Sequence, residues 1–247
     1  MAELLYGRNA VREALRARRR TFQRLLVSAG AQEAGTLGEV VRMAEEAGVP
    51  VARVDRRDLD RRIRDANHQG VLLECGDYPY AELEDCLALA EERGEPALLL
   101  MLDHLQDPQN IGTLLRTAEV VGVHGVIIPG RRAAEITPAV VNASSGAVEH
   151  LRVAVITNLA AAIEQVQHAG VWVVGVEDDP RAQEYDRVDL DMPLALVLGA
   201  EGPGLARLTR ERCDFLVRLP MRGQIASLNV AVAGSIVLYH AWRTREE

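Results

Sequence analysis

From Ala97 onward the chain carries six short, largely apolar runs: "ALLLML", "GVIIP", "RVAVI", "VWVVGV", "LALVL" and "FLVRL". A strand with one wet face alternates apolar and polar residues, whereas a strand covered on both faces reads as a continuous apolar run. Helical patterns lie between these runs: "IGTLLRTAEVVG", a helix near "PAVVNASSG", "LAAAIEQVQHAG", a short "LARLTRERC" and the final "VAVAGSIVLYHAW". This alternation predicts an α/β fold with a parallel sheet covered on both faces. Parallel strands end at one edge, and ligands of such sheets bind beyond those carboxyl ends.

Residues 1–77 alternate shorter patterns: helix "NAVREALRA", strand "RLLVS", helix "LGEVVRMAEEAG", strand "VPVARV", helix "RRDLDRRIRDA" and strand "GVLLEC". They predict a small α/β domain. Residues 78–96, "YPYAELEDCLALAEERGEP", are acidic, bounded by prolines, and contain one amphipathic helix, as a connector would. The expected organisation is therefore a domain over 1–77, a linker over 78–96 and a larger domain over 97–247.

The net charge of −8 argues against a nucleic-acid binder only as an average. Residues 1–77 carry fourteen Arg against twelve Asp and Glu, whereas residues 78–247 carry fourteen against twenty-four. Arg8, Arg12, Arg16, Arg19 and Arg20 recur at helical spacing, which predicts a phosphate-facing patch. The chain contains no lysine, so each fixed cation is a guanidinium, the group that grips phosphate bidentately.

No apolar run is long enough to span a bilayer, and the opening "MAELLYGRNAVREALRARRR" has no apolar signal core. The expected location is therefore the cytoplasm, with no membrane partner. Cys75, Cys86 and Cys213 show no paired spacing and read as buried thiols. The six histidines lie on different elements, so no metal site is expected, and only His104 falls near the strand ends of interest.

Three loops at those ends are unusual. "DHLQDPQNIGTLLRTA" puts Asp107, Pro108 and Asn110 at a helix start, where side-chain oxygens satisfy free N–H groups. Arg116, six residues further on, stands about 9 Å up the same helix, and its long side chain can lean back toward the start. "GAEGPG" (199–204) has the glycines that backbone needs to approach a ligand closely, although it is neither a dinucleotide fingerprint nor a phosphate loop. "PMRGQIASLN" places Ser227 and Asn229 at the mouth of the last helix.

Taken in order, "DPQNIGTLLRTA", "LVLGAEGPGL" and "LPMRGQIASLNVAVA" resemble motifs 1, 2 and 3 of the SpoU (TrmH-like) RNA ribose 2'-O-methyltransferases of the SPOUT superfamily. "NASSGAVEHL" resembles the segment this family carries between its first two motifs. "LLYGRNAVREAL" resembles the start of its small RNA-binding domain, similar to ribosomal protein L30e. The resemblance implies a C-terminal trefoil knot, with "PMRGQIASLN" as the knot turn around S-adenosylmethionine (AdoMet). It implies AdoMet contacts at Gly199, Leu219 and Leu228, with Met221 and Ile225 lining the same cleft. Asn110, Arg116, Glu201, Ser227 and Asn229 match the polar residues that organise catalysis and RNA placement.

The implied reaction is attack of a ribose 2'-hydroxyl on the AdoMet methyl group, with no metal, in a homodimer. The opening most resembles enzymes that methylate a guanosine in the peptidyl-transferase region of 23S rRNA. Relatives acting on tRNA or conferring antibiotic resistance through rRNA, and a non-catalytic RNA-binding assembly factor, are the alternatives.

Overall fold

The structure is a computed structural model that describes residues 3–64, 66–130, 135–200, 202–225 and 227–245. In chain order its elements are β1 (Glu3–Tyr6), α1 (Arg8–Ala17), β2 (Phe22–Ser28), α2 (Thr36–Glu46), β3 (Val51–Val54), α3 (Arg56–Arg62), β4 (Val71–Cys75) and α4 (Leu83–Arg93). Next come β5 (Leu98–Asp103), α5 (Pro108–Val120), β6 (Gly125–Pro129), α6 (Pro138–Ala143), β7 (Val153–Ile156) and α7 (Leu159–His168). The last are β8 (Trp172–Val176), β9 (Gln183–Glu184), β10 (Leu194–Gly199), α8 (Arg207–Arg212), β11 (Phe215–Arg218) and α9 (Val230–Thr244). They form two compact units, one of Met1–Pro79 with Ile136–His150, the other of Tyr80–Glu135 with Leu151–Glu247.

The first unit is built on a four-stranded sheet in the order β1-β4-β2-β3. Strands β1 and β2 run antiparallel to β4, and β3 runs parallel to β2. Helix α1 buries Ala10, Val11, Ala14 and Leu15, an apolar stripe at helical period. It stops at Arg18, whose left-handed φ of 52° turns the chain out of the helix. Arg19 and Arg20 therefore do not share a face with Arg8, Arg12 and Arg16, as their spacing had suggested.

Arg20 is not part of a phosphate-facing patch. Its side chain is 0% exposed, and its guanidinium meets Glu149 at 2.7 Å and Glu3 at 2.6 Å and donates to the Gly76 carbonyl. A cation held by two carboxylates inside the unit has no donor to offer an RNA phosphate. Its neighbour Arg19 donates to the carbonyls of Glu149 and Pro79. The guanidinium carbons of Arg20 and Arg19 lie over the Tyr78 ring, 5.1 Å and 5.5 Å from its centroid. That placement adds a cation–π attraction.

Helix α6 belongs to this unit: Pro138 opens it, Thr137 caps it, and Asn142 donates its side-chain amide to the Tyr6 carbonyl at 3.0 Å. Gly7, between β1 and α1, takes φ 86°, and a Cβ there would lie 2.4 Å from Asn142 Nδ2.

The second unit has a seven-stranded, wholly parallel sheet in the order β7-β6-β5-β10-β8-β11-β9. Every residue of the central strands β5 and β10 is buried, as their unbroken apolar runs predict. On one face Leu99, Met101, Val173, Ala195 and Val197 pack with residues of α4 and α7. Alternate residues point the other way. There Leu198 meets α9 so closely that a Cβ on Gly234 would lie 2.3 Å from it, and 2.7 Å from Leu114 of α5.

The segment expected as a connector contributes α4 to this core, with Leu83, Cys86 and Ala90 buried. Gly125 of β6 has no room for a Cβ, which would fall 2.2 Å from the Cys86 Cβ. No helix among the described residues is long and apolar enough to cross a membrane.

Candidate active site

Strands β5 and β10 pair in register to their last residues, Asp103 beside Gly199. This puts the loops that follow them side by side, and β8 and β11 end at the same edge. After β10 the chain turns sharply: the Gly204 N–H donates to the Ala200 carbonyl at 3.0 Å, and Gly202 and Gly204 take φ of 84° and 68°. Gly199 is required by space, since a Cβ would lie 2.2 Å from the Gly204 carbonyl carbon.

This turn forms one wall of a cleft of about 530 Å³. Leu198, Leu219, Met221, Leu228, Val230 and Ala233 give it apolar surface, with Ser227, Asn229, Arg218, Glu177 and Asp178 supplying polar groups. A second cleft of about 430 Å³ is bordered by His104, Leu105, Gln106, Asp107 and Asn110. Ala200, Pro203 and Val230 border both, so the two spaces meet at one short partition.

Two helix starts converge there. Asp107 caps α5, accepting from the N–H groups of Gln109 and Asn110, and Pro108 fills the position whose N–H would go unused. Asn229 caps α9 by accepting from the Ala231 and Val232 N–H groups, while its amide nitrogen donates to Asn110 Oδ1 at 2.8 Å. The positive ends of both helix dipoles therefore face the region where the clefts meet, which favours an anion.

Behind the second cleft, buried Asp103 accepts from the Ala206 N–H at 2.7 Å and holds His104 Nδ1 at 2.5 Å. His104 has a left-handed φ of 60°. In the wall of the first, Glu177 bonds Arg210 at 2.6 Å, and this hydrogen bond raises the pKa of the Arg210 guanidinium. Burial pushes the Cys213 thiol up to about 12, and Cys75 and Cys86 likewise, so at neutral pH the three cysteines are protonated. Among the described residues no group of three or more His, Cys, Asp or Glu is placed to hold a metal ion.

Of the residues marked out by sequence, Gly199, Leu219, Met221, Ser227, Leu228 and Asn229 border the first cleft and Asn110 the second. Ile225 is 76% exposed and borders neither. Arg116 lies on the exposed side of α5 and also borders neither. Glu201 lies outside the described residues. Sequence reasoning passed over Glu177, Asp178 and Arg218; the signal was their position just after, or at the end of, parallel strands that finish at this edge.

Residues 97–239 match the family model described as the SpoU rRNA Methylase family. The chain belongs to this family. A second model, RNA 2'-O ribose methyltransferase substrate binding, matches residues 4–81. SpoU relatives include YacO of Bacillus subtilis, named for the TrmH family of tRNA/rRNA methyltransferases, which is 42% identical over 98% of this chain and 96% of its own. Among solved structures, AviRb from Streptomyces viridochromogenes, a SpoU methyltransferase crystallised with AdoMet, shares the fold with a TM-score of 0.80 at 24% identity, over 98% of this chain and 90% of its own. An AdoMet-bound rRNA methyltransferase from Sinorhizobium meliloti has a TM-score of 0.79 at 26% identity, over 98% of this chain and 87% of its own. As a SpoU-family protein the chain is an RNA methyltransferase.

Proposed function

We propose that the chain transfers the methyl group of AdoMet to a ribose 2'-hydroxyl of RNA, and that its target is a guanosine in the peptidyl-transferase region of 23S rRNA. The partition shared by the two clefts carries this reading: a group held in the first is a short transfer away from a group held in the second. The first cleft suits AdoMet in size, within the roughly 300–1,000 Å³ of small-molecule sites. Its apolar walls and exposed backbone suit adenine, and its carboxylate Asp178 suits the molecule's positive groups. When bound, AdoMet supplies an electrophilic methyl group on a good leaving group.

The chain's own residues orient the partners. Gly199, Leu219, Met221 and Leu228 would hold the donor, and Asn110, Ser227 and Asn229 would place the acceptor ribose, with Glu201 kept as a proposed member of the motif. We assign Arg116 to the phosphate beside the target ribose, because a guanidinium stays protonated and stabilises negative charge as the hydroxyl reacts. Arg116→Ala should lower the methyl-transfer rate by about 10²- to 10³-fold. Arg116→Lys should keep a measurable part of it. Complete loss in Arg116→Lys, with RNA affinity unchanged in a filter-binding assay, would mean that the forked geometry is indispensable.

The first unit is proposed as an L30e-like RNA-binding module, with Arg8, Arg12 and Arg16 meeting phosphate. Arg12 and Arg16 pair with Glu13 and Glu39. An exposed pair such as Arg16–Glu39 is worth only about 0–1 kcal/mol, so phosphate can displace it. The passage from Leu219 to Asn229 is proposed as the knot turn. A homodimer is proposed on the apolar groups that α5 and α9 leave exposed, Val120 at 62%, Val232 at 47% and Tyr239 at 48%. Sedimentation at micromolar concentration should give twice the chain mass; a monomer there would count against it.

The target is tested by incubating the protein with labelled AdoMet and unmodified RNA, then digesting and identifying the labelled nucleotide by mass spectrometry. We expect 2'-O-methylguanosine mapping to 23S rRNA. Label in tRNA would keep the chemistry and overturn the target. No AdoMet binding would favour an assembly factor without catalysis.

A further inference from the structure

We propose that His104 is the base that takes the proton from the ribose 2'-hydroxyl, with Asp103 fixing its ring. The inference rests on the reading of the two clefts as donor and acceptor sites, and adds to it the one function that a guanidinium cannot perform.

His104 borders the acceptor cleft and leaves half of its side chain exposed. Its Nδ1 is bonded to Asp103 Oδ1 at 2.5 Å, and Asp103 is itself 1% exposed and fixed by the Ala206 N–H. A carboxylate at Nδ1 places the neutral ring's proton there, so the lone pair sits on Nε2. The same arrangement orients the general base in serine hydrolases. His104 also takes a left-handed φ of 60°. That conformation is unfavourable for a residue with a Cβ and is retained where surrounding structure imposes it.

The other titratable group on this cleft among the described residues is Asp107, whose two oxygens accept the first N–H groups of α5. In the step, the 2'-oxygen forms a bond to the methyl carbon as the carbon–sulfur bond breaks. The electron pair of that bond stays on sulfur, and the hydroxyl proton passes to Nε2, leaving a neutral thioether and an imidazolium that later releases its proton to water.

Two variants test this without disturbing the backbone, His104→Gly, which accepts positive φ freely, and His104→Asn, whose amide can still donate to Asp103. Single-turnover transfer from AdoMet to transcribed 23S rRNA should fall roughly 10²- to 10⁴-fold in both. AdoMet and RNA dissociation constants should stay within about threefold, and free imidazole should restore part of the rate in His104→Gly. Nitrogen-15 NMR of the unaltered protein should show the neutral form of the His104 ring carrying its proton on Nδ1 and none on Nε2. Rates within threefold of the unaltered chain, or a ring protonated on Nε2 instead, would overturn the assignment while leaving the methyltransferase reading intact. Absence of transfer by the unaltered chain would remove both.

Discussion

Glu149→Ala should lower the free energy of unfolding by about 3–5 kcal/mol, read as a fall in the urea midpoint at unchanged slope. The reason is asymmetry. Burying a guanidinium and a carboxylate costs each its hydration, and mutual attraction offsets that cost only while both are present. Glu149 is 0% exposed and accepts from both Nε and Nη2 of Arg20. Removing it leaves Arg20 dehydrated, with Glu3 and the Gly76 carbonyl still accepting from it. Replacing both members with apolar groups, Arg20→Met with Glu149→Leu, should recover part of the loss, because the one carboxylate then left without its partner, Glu3, is partly exposed and can be hydrated. A loss below about 1 kcal/mol for Glu149→Ala would show that water reaches the pair.

Gly199→Ala should cost about 1–3 kcal/mol of stability and weaken AdoMet binding by at least tenfold, as measured by thermal unfolding and titration calorimetry. The added methyl would meet only backbone, the Gly204 carbonyl group at 2.2 and 2.4 Å and the Leu205 nitrogen at 2.3 Å, so the whole turn must move. Gly202 is a contrast within the same turn. A Cβ there meets nothing within 4 Å, but φ is 84°. Gly202→Ala should therefore cost about 1 kcal/mol of backbone strain while affecting affinity less. Equal effects of the two substitutions on AdoMet affinity would refute the steric account of Gly199.

The larger unit was legible because its strands are buried on both faces, so "ALLLML" and "LALVL" could be read without knowing their neighbours. Their order in the sheet was not legible, since nothing in an apolar run states which other run it pairs with. Two strands escaped for local reasons. In β1 the short run "ELLY" leads almost directly into a helix and pairs with β4 at the far end of the first domain's sequence. Strand β9 is only Gln183 and Glu184, both polar, at the sheet's edge.

The arginine series misled because helical spacing was extended past Arg18, where a non-glycine residue ends the helix in a left-handed conformation that no composition signal marks. Burial of Arg20 then depends on Glu149, a partner 129 residues away. At the site, the shared edge of parallel strands was readable, and so were the caps. The Asn229–Asn110 bond was not, because a bond across 119 residues leaves no periodic trace. His104 could be noticed from its neighbourhood, but its orientation depends on Asp103, whose own fixing by Ala206 only the fold supplies.

The Asn229–Asn110 bond cannot form until the start of α9 has been synthesised, 119 residues after Asn110. Domains on a ribosome fold from the N-terminal side as residues are added, at about 5–20 residues per second. The sheet can be completed once β11 has emerged, but the wall formed by Ser227, Leu228, Asn229, Val230 and Ala233 is made afterwards. A nascent chain therefore has His104 and Asn110 long before the first cleft is closed. A chain with the proposed activity would therefore gain it only once α9 has docked.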